Sequence, residues 1–241
     1  MLIVAHRGGN PDDIENSAAA FRHGVEIGAD LLECDLQLSA SGEIVVYHDT
    51  EHFGAPIRNF TTDELRGLIP TILTLDELLA LLEDIGPETR LVLDLKDRDV
   101  DRALEPYLQD SELRQRSLVT STFSFGLLRL RRAFPDLRTG LSRGAIFTRV
   151  PRWIRPLAIA TVGRATSMIA IIHLKVFGID TAVVQHHLVD GGGIGRFHRR
   201  GIRVYAWTID EPARATRLQD LGVDYLTTNV PARMIEHFKN Q

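Results

Sequence analysis

Short runs rich in apolar and β-branched residues recur along this chain, and most are followed by a stretch with helical spacing. The runs are Leu2 to Ala5, Leu31 to Gln37, Ile44 to Tyr47, Leu91 to Leu95, Leu118 to Thr122, Arg138 to Leu141, Thr181 to Gln185, Arg203 to Thr208 and Tyr225 to Thr228. Ser17 to Ile27, Leu75 to Leu82, Phe125 to Phe134, Pro212 to Leu221 and Pro231 to Phe238 place apolar residues at helical intervals. Such alternation, with no low-complexity linker between the halves, predicts an α/β chain with a parallel sheet in a single domain, residues 1–241. Eight strand-helix units would take about 30 residues each, the size of the repeat in a (β/α)8 TIM barrel.

Nine runs are one too many for eight units. The extra one is accounted for if Leu31 to Gln37 and Ile44 to Tyr47 form a β-hairpin after strand 2, turning at Ser41-Gly42. A two-residue turn there places Asp35 opposite His48, Leu36 opposite Tyr47 and Leu38 opposite Val45, which returns a histidine to the level of the strand's carboxylates. The stretch near 144–178 does not fit the repeat and is expected to be a helical insertion. It carries Arg149, Arg152, Trp153 and Arg155, and Arg164, His173 and Lys175 interrupt its apolar run, so it predicts no transmembrane span. Its two readings are a helix covering apolar surface and an interfacial segment making peripheral membrane contact.

Chemistry concentrates at the ends of successive strands, where barrel enzymes carry their catalytic residues. His6-Arg7-Gly8-Gly9 ends the first run and is followed by Glu15-Asn16 before a helix start at Ser17. A histidine moves protons near neutral pH, an arginine holds phosphate or carboxylate, and glycine lets the backbone turn beside a ligand. In Glu33-Cys34-Asp35 the alternation of a strand puts both carboxylates on one face and Cys34 on the other. Two buried carboxylates repel, and a hard divalent cation, Mg²⁺, Ca²⁺ or Mn²⁺, resolves the conflict. The alternative is a salt bridge to Arg or Lys. Tyr47-His48-Asp49 and Asp94-Leu95-Lys96 complete a set suited to phosphoryl transfer, in which cations neutralise a phosphodiester while histidines move protons.

In their order along the chain, His6-Arg7-Gly8, Glu15-Asn16-Ser17, Glu33-Cys34-Asp35 and His48-Asp49 resemble the glycerophosphodiester phosphodiesterase family. Thr122-Phe123, Tyr205-Ala206-Trp207-Thr208 and Gly222-Val223-Asp224 through Thr228-Asn229 extend the resemblance over most of the length. The resemblance implies a barrel that hydrolyses glycerophosphodiesters to sn-glycerol 3-phosphate and an alcohol, with one divalent metal ion. It implies His6 and His48 as the acid/base pair and Glu33, Asp35, Asp94 and Glu15 around the metal. Arg7, Asn16, Lys96 and Trp207 are implied to bind or support substrate. The chain has Asp94-Leu95-Lys96 where the family commonly has Glu-x-Lys, one methylene longer at the acid. His186 and His187 follow a strand end and are either substrate contacts or surface residues.

Twenty-eight Lys and Arg against 32 Asp and Glu give a net charge of −4, which argues against nucleic acid as partner. The lone cysteine and the short apolar start before His6 and Arg7 predict a cytoplasmic location. The expected partner is a small glycerophosphodiester. The alternatives are a lysophospholipid, cleaved in the manner of a lysophospholipase D, and a catalytically silent barrel that binds phosphorylated ligands.

Overall fold

The structure is a computed structural model describing residues 1–9, 14–142, 168–189 and 191–240. Its strands are β1 Leu2–Ala5, β2 Leu31–Leu38, β3 Ile44–Val46, β4 Glu51–His52, β5 Ala55–Pro56, β6 Leu73–Thr74, β7 Leu91–Leu95, β8 Ser117–Ser121, β9 Arg138–Ser142, β10 Thr181–Gln185, β11 Arg203–Trp207 and β12 Tyr225–Thr228. Eight of them, β1, β2 and β7 to β12, pair in parallel with their neighbours, and β12 returns to β1 to close the ring. This is the expected (β/α)8 barrel. The helices foreseen at helical spacing form as Ala18–Glu26, Leu75–Ile85, Ser124–Ala133, Pro212–Asp220 and Pro231–Lys239. Ser17 caps the first, its hydroxyl accepting from the Ala20 N–H at 3.2 Å. Thr74 and Glu77 close a capping box on the second, and the last two begin on proline, whose missing N–H costs nothing in a first turn.

Alternation along each strand divides the apolar residues into two layers. Val4, Leu31, Val92, Leu118, Val183, Tyr205 and Tyr225 meet inside the barrel, whereas Ile3, Leu32, Cys34, Leu36, Leu91 and Leu93 pack outward with the helices. Cys34 is thus a small hydrophobe of the outer layer. Climbing the inner face, four of the strands change from apolar to polar within two residues: Val4 to His6, Leu31 to Glu33 and on to Asp35, Val92 to Asp94, and Leu118 to Thr120.

At the N-terminal end of the strands the carboxylates are structural. Asp30, Asp180 and Asp224 each precede a strand and accept the backbone N–H of a residue on the neighbouring one: Ile3 at 2.8 Å, Thr139 at 3.3 Å and Val204 at 2.7 Å.

The hairpin after β2 forms with a register one residue away from expectation. Leu36, Gln37 and Leu38 face Val46, Val45 and Ile44, and the Tyr47 N–H donates to the Asp35 carbonyl at 2.9 Å. The loop is longer than the two residues foreseen. Ser39 and Glu43 pair around Ala40-Ser41-Gly42, and Gly42 takes the left-handed conformation at φ 82° that a three-residue loop demands. Beyond it, β6 adds to β3, and Val45, Ile57, Leu65 and Ile72 make a small core of their own beside the barrel.

Of the insertion expected over 144–178, residues 168–176 form a helix, while residues 143–167, with Arg149, Arg152, Trp153 and Arg155, lie outside the described residues. Among the described residues no helix is long and apolar enough to cross a membrane.

Candidate active site

The turn leaving β1 puts His6 and Arg7 at the mouth of the barrel. Arg7 sits in the left-handed region at φ 52°, as does Asn16 at φ 50°, a conformation that non-glycine residues hold only where their surroundings enforce it. The enforcement is visible. The Arg7 N–H donates to Glu33 at 2.8 Å, its carbonyl accepts the Asn16 N–H at 2.9 Å, and Gly8 lies directly on the following helix. A Cβ on Gly24 of that helix would stand 2.3 Å from the Gly8 carbonyl oxygen, so the turn can seat only where both positions are glycine.

Glu33 and Asp35 from β2 and Asp94 from β7 converge, each offering an oxygen within 4.8 Å of the others. The Lys96 Nζ stands between them, 2.7 Å from Asp35 and 2.6 Å from Asp94. Asn16 Nδ2 donates to Asp35 at 2.8 Å and Arg7 Nε is 3.3 Å from the same carboxylate. Burial alone would raise the Asp35 carboxyl, but Lys96 and Asn16 hold it below the usual carboxylate range. Glu33, buried beside Asp35, is pushed well above that range. Lys96 is raised above an ordinary lysine because the attraction of Asp94 and Asp35 outweighs its burial. The donor set is all-oxygen, crowded and short of positive charge at Glu33, which fits a hard divalent cation.

Two histidines flank this cluster. His6 Nδ1 lies 2.6 Å from Asn229 Oδ1, and its Nε2 is 4.0 Å from Glu33. Burial lowers the His6 pKa, against the hydrogen bond to Asn229 Oδ1 that raises it. Asn229 is itself fixed: its backbone N–H and Nδ2 donate to the two oxygens of Asp210 at 2.8 and 2.9 Å, and the Thr228 hydroxyl donates to the same carboxylate at 3.0 Å. His48 Nδ1 lies 2.8 Å from Asp49. Although β3 ends at Val46, the segment carrying His48 is anchored, because buried Gln37 donates through Nε2 to the Tyr47 and Asp49 carbonyls at 2.7 Å each.

A cavity of about 420 Å³ opens over the cluster and brings together His6, Arg7, Glu33, His48, Asp94, Lys96 and Trp207. Glu15 and Asn16 stand elsewhere. Arg7 clamps the half-exposed Glu15 carboxylate at 2.6 Å, away from the three convergent carboxylates, and Asn16 is buried behind Asp35. His186 and His187 stack on each other, 3.7 Å between ring centres, with Arg214 donating to the His186 carbonyl; neither lines this cavity. Gln37, Thr120 and Asp210 were not foreseen. Gln37 shares the face of Glu33 and Asp35 two residues on, which was a readable signal. Thr120, donating to Asp94 at 2.6 Å, and Asp210, three residues past Trp207, needed the fold.

The glycerophosphoryl diester phosphodiesterase family model matches residues 6–233. A glycerophosphodiester phosphodiesterase of Caldanaerobacter subterraneus is 26% identical over 97% of this chain and 96% of the relative. A lysophospholipase D of Mus musculus is 24% identical over 98% of this chain and 86% of its own. Among solved structures, a phosphodiesterase of Oleispira antarctica in complex with the product sn-glycerol-3-phosphate superposes with a TM-score of 0.75 at 20% identity, covering 99% of this chain and 97% of that one.

Proposed function

The chain belongs to the glycerophosphoryl diester phosphodiesterase family and is an enzyme of that activity, and from that premise we propose that it cleaves glycerophosphodiesters to sn-glycerol 3-phosphate and an alcohol with a divalent cation and two histidines. The observation that carries this reading is the placement of His6 and His48 in one cavity with three convergent carboxylates.

Glu33, Asp35 and Asp94 would hold the cation, Mg²⁺, Ca²⁺ or Mn²⁺. Bound there, it would neutralise phosphate charge that Arg7 and Lys96 meet from the protein side. Glu15 orients Arg7, and Asn16 orients Asp35.

Two hydrogen bonds support distinct roles for the histidines. With Asn229 Nδ2 donating to Asp210, the amide turns its carbonyl Oδ1, an acceptor, toward His6, so His6 Nδ1 carries a proton and Nε2 has the free lone pair. His6 Nε2 takes the proton of the attacking hydroxyl as its oxygen bonds to phosphorus. If that hydroxyl is water, sn-glycerol 3-phosphate forms directly, and if it is the substrate's own glycerol, a cyclic phosphate forms that water then opens to sn-glycerol 3-phosphate. His48, held through Nδ1 by the Asp49 carboxylate at 2.8 Å, serves as the general acid and gives a proton from Nε2 to the leaving oxygen as the phosphorus-oxygen bond breaks. Trp207 lines the opposite wall against the organic part of the substrate.

Release of sn-glycerol 3-phosphate from water-soluble diesters and from lysophospholipids, with and without EDTA and re-added Mg²⁺, Ca²⁺ or Mn²⁺, tests the reading. The soluble diesters are expected to turn over and the chelated enzyme to be silent. His6→Ala and His48→Ala are each expected to lose about 10²-fold or more. Full activity in chelator overturns the cation, and unchanged turnover in the histidine variants overturns the mechanism.

A further inference from the structure

A second cavity of about 580 Å³ adjoins the catalytic one, sharing Leu95 and Thr122 with it as a common wall. Its walls come from the loop after Lys96 and from the turn between β8 and the helix Ser124–Ala133, with Arg98, Phe123 and Arg129 among the lining. The catalytic cavity must already accommodate a glycerol, a phosphate and a cation. The alcohol on the far side of the phosphorus, the part that differs between glycerophosphodiesters, needs room beyond it. Trp207 ends β11 and Thr122 follows β8, three positions apart around the ring of eight, so Thr122 and Leu95 line the cavity on the side away from Trp207.

The charges of this second cavity are paired except at one place. Asp97 and Asp99 lean on Arg58 at 3.6 and 4.0 Å, and Asp99 also on Arg102 at 3.8 Å. On the floor, buried Asp101 pairs with Arg129, and Gly126 presses against it so closely that a Cβ there would come within 3.0 Å of the carboxylate. Arg98 has no carboxylate partner among the described residues. Its guanidinium lies 5.7 Å over the Phe123 ring, and its backbone N–H donates to Asp97. The platform beneath it is fixed, because the buried Ser121 hydroxyl accepts the Phe123 N–H at 3.0 Å and donates to the Leu95 carbonyl at 3.0 Å.

We propose that this second cavity is the subsite for the leaving alcohol and that Arg98 selects substrates whose alcohol carries a carboxylate or phosphate. The proposal rests on the phosphodiesterase reading above and adds the substrate class to it. A guanidinium held on an aromatic face presents its N–H fork outward, the geometry that grips a carboxylate or phosphate through two hydrogen bonds. The same cation repels an ammonium headgroup that brings no anion.

Glycerophosphoserine and glycerophosphoethanolamine differ by a single carboxylate, so their kcat/KM ratio isolates the contact. The wild-type enzyme is expected to favour the serine diester by about fivefold, within the range of a partly exposed charge-assisted pair. In Arg98→Ala the ratio should fall toward one, and in Arg98→Glu it should invert. Arg98 is exposed, so neither variant disturbs the core. A wild-type ratio near one, or a preference that survives in Arg98→Ala, overturns the subsite while leaving the phosphodiesterase reading intact. If neither diester is hydrolysed, the reading falls and the subsite with it.

Discussion

The two ends of the barrel use the same side chain in opposite ways. At the N-terminal end, Asp30, Asp180 and Asp224 stand apart, each with a neighbouring strand's backbone N–H to accept. At the C-terminal end, Glu33, Asp35 and Asp94 crowd within 4.8 Å, and Asp35 accepts a side-chain amide from Asn16 and the Lys96 ammonium. The lower carboxylates close gaps in the backbone hydrogen bonding of the ring, so they contribute stability. Among the upper ones Glu33, buried beside Asp35, costs stability without a bound cation, whereas Lys96 and Asn16 offset the burial of Asp35. Five residues of strand separate the two conditions, and nothing in the identity of the residue distinguishes them. What distinguishes them is whether a donor or another acid stands opposite.

The largest difference between the ends should appear when a cation is added. If the upper cluster holds the ion, Mg²⁺, Ca²⁺ or Mn²⁺ at a hundred times its dissociation constant stabilises the folded protein by about 2.7 kcal/mol. A melting experiment in chelator and then in metal should show a clear upward shift for the wild type and little for Glu33→Gln or Asp94→Asn. Equal shifts in all three proteins would place the ion elsewhere.

Asp224→Ala sets the contrasting case. It strips the acceptor from the Val204 N–H and the partner from His198, 2.9 Å away, with the catalytic cavity at the other end of the strands. Leaving one partly buried N–H unpaired costs about 1–2 kcal/mol. Denaturant unfolding should report that loss, while kcat/KM stays within about twofold of wild type. A fall in activity matching the one expected for His48→Ala would mean that the ends are not independent.

How much of this was legible in the sequence depended on the range over which each signal acts. The carboxylate pair was legible because strand alternation is local: Glu33 and Asp35 must share a face once β2 is a strand. The closure of eight strands followed from alternation and length. The hairpin register was not legible, because Ser41-Gly42 fits a two-residue turn and a three-residue loop alike; the choice is made by Gly42 adopting φ 82° after Ala40 and Ser41. Nor was the support of His6. Asp210 and Asn229 are 19 residues apart, and only the adjacency of β11 and β12 brings them together. Glu15 illustrates a different difficulty. An acid near His6 and Arg7 reads equally as a ligand or as a clamp, and in the structure its carboxylate pairs with the Arg7 guanidinium at 2.5 Å.

The smallest effect is expected at the hairpin. Gly42→Ala forces a side chain into the left-handed region and should cost about 1 kcal/mol, since the surroundings of Gly42 are open and the penalty is conformational alone. Activity should hardly change. His48 is held by the two hydrogen bonds of Gln37 to the Tyr47 and Asp49 carbonyls, below the turn and independent of it. Gln37→Ala reverses the pattern, leaving the turn intact while freeing the segment that carries His48, so kcat should fall by about tenfold. If Gly42→Ala instead lowers kcat as far as Gln37→Ala does, the turn and not the glutamine positions the histidine. The upper end of the barrel would then depend on its hairpin register as closely as the lower end depends on its aspartates.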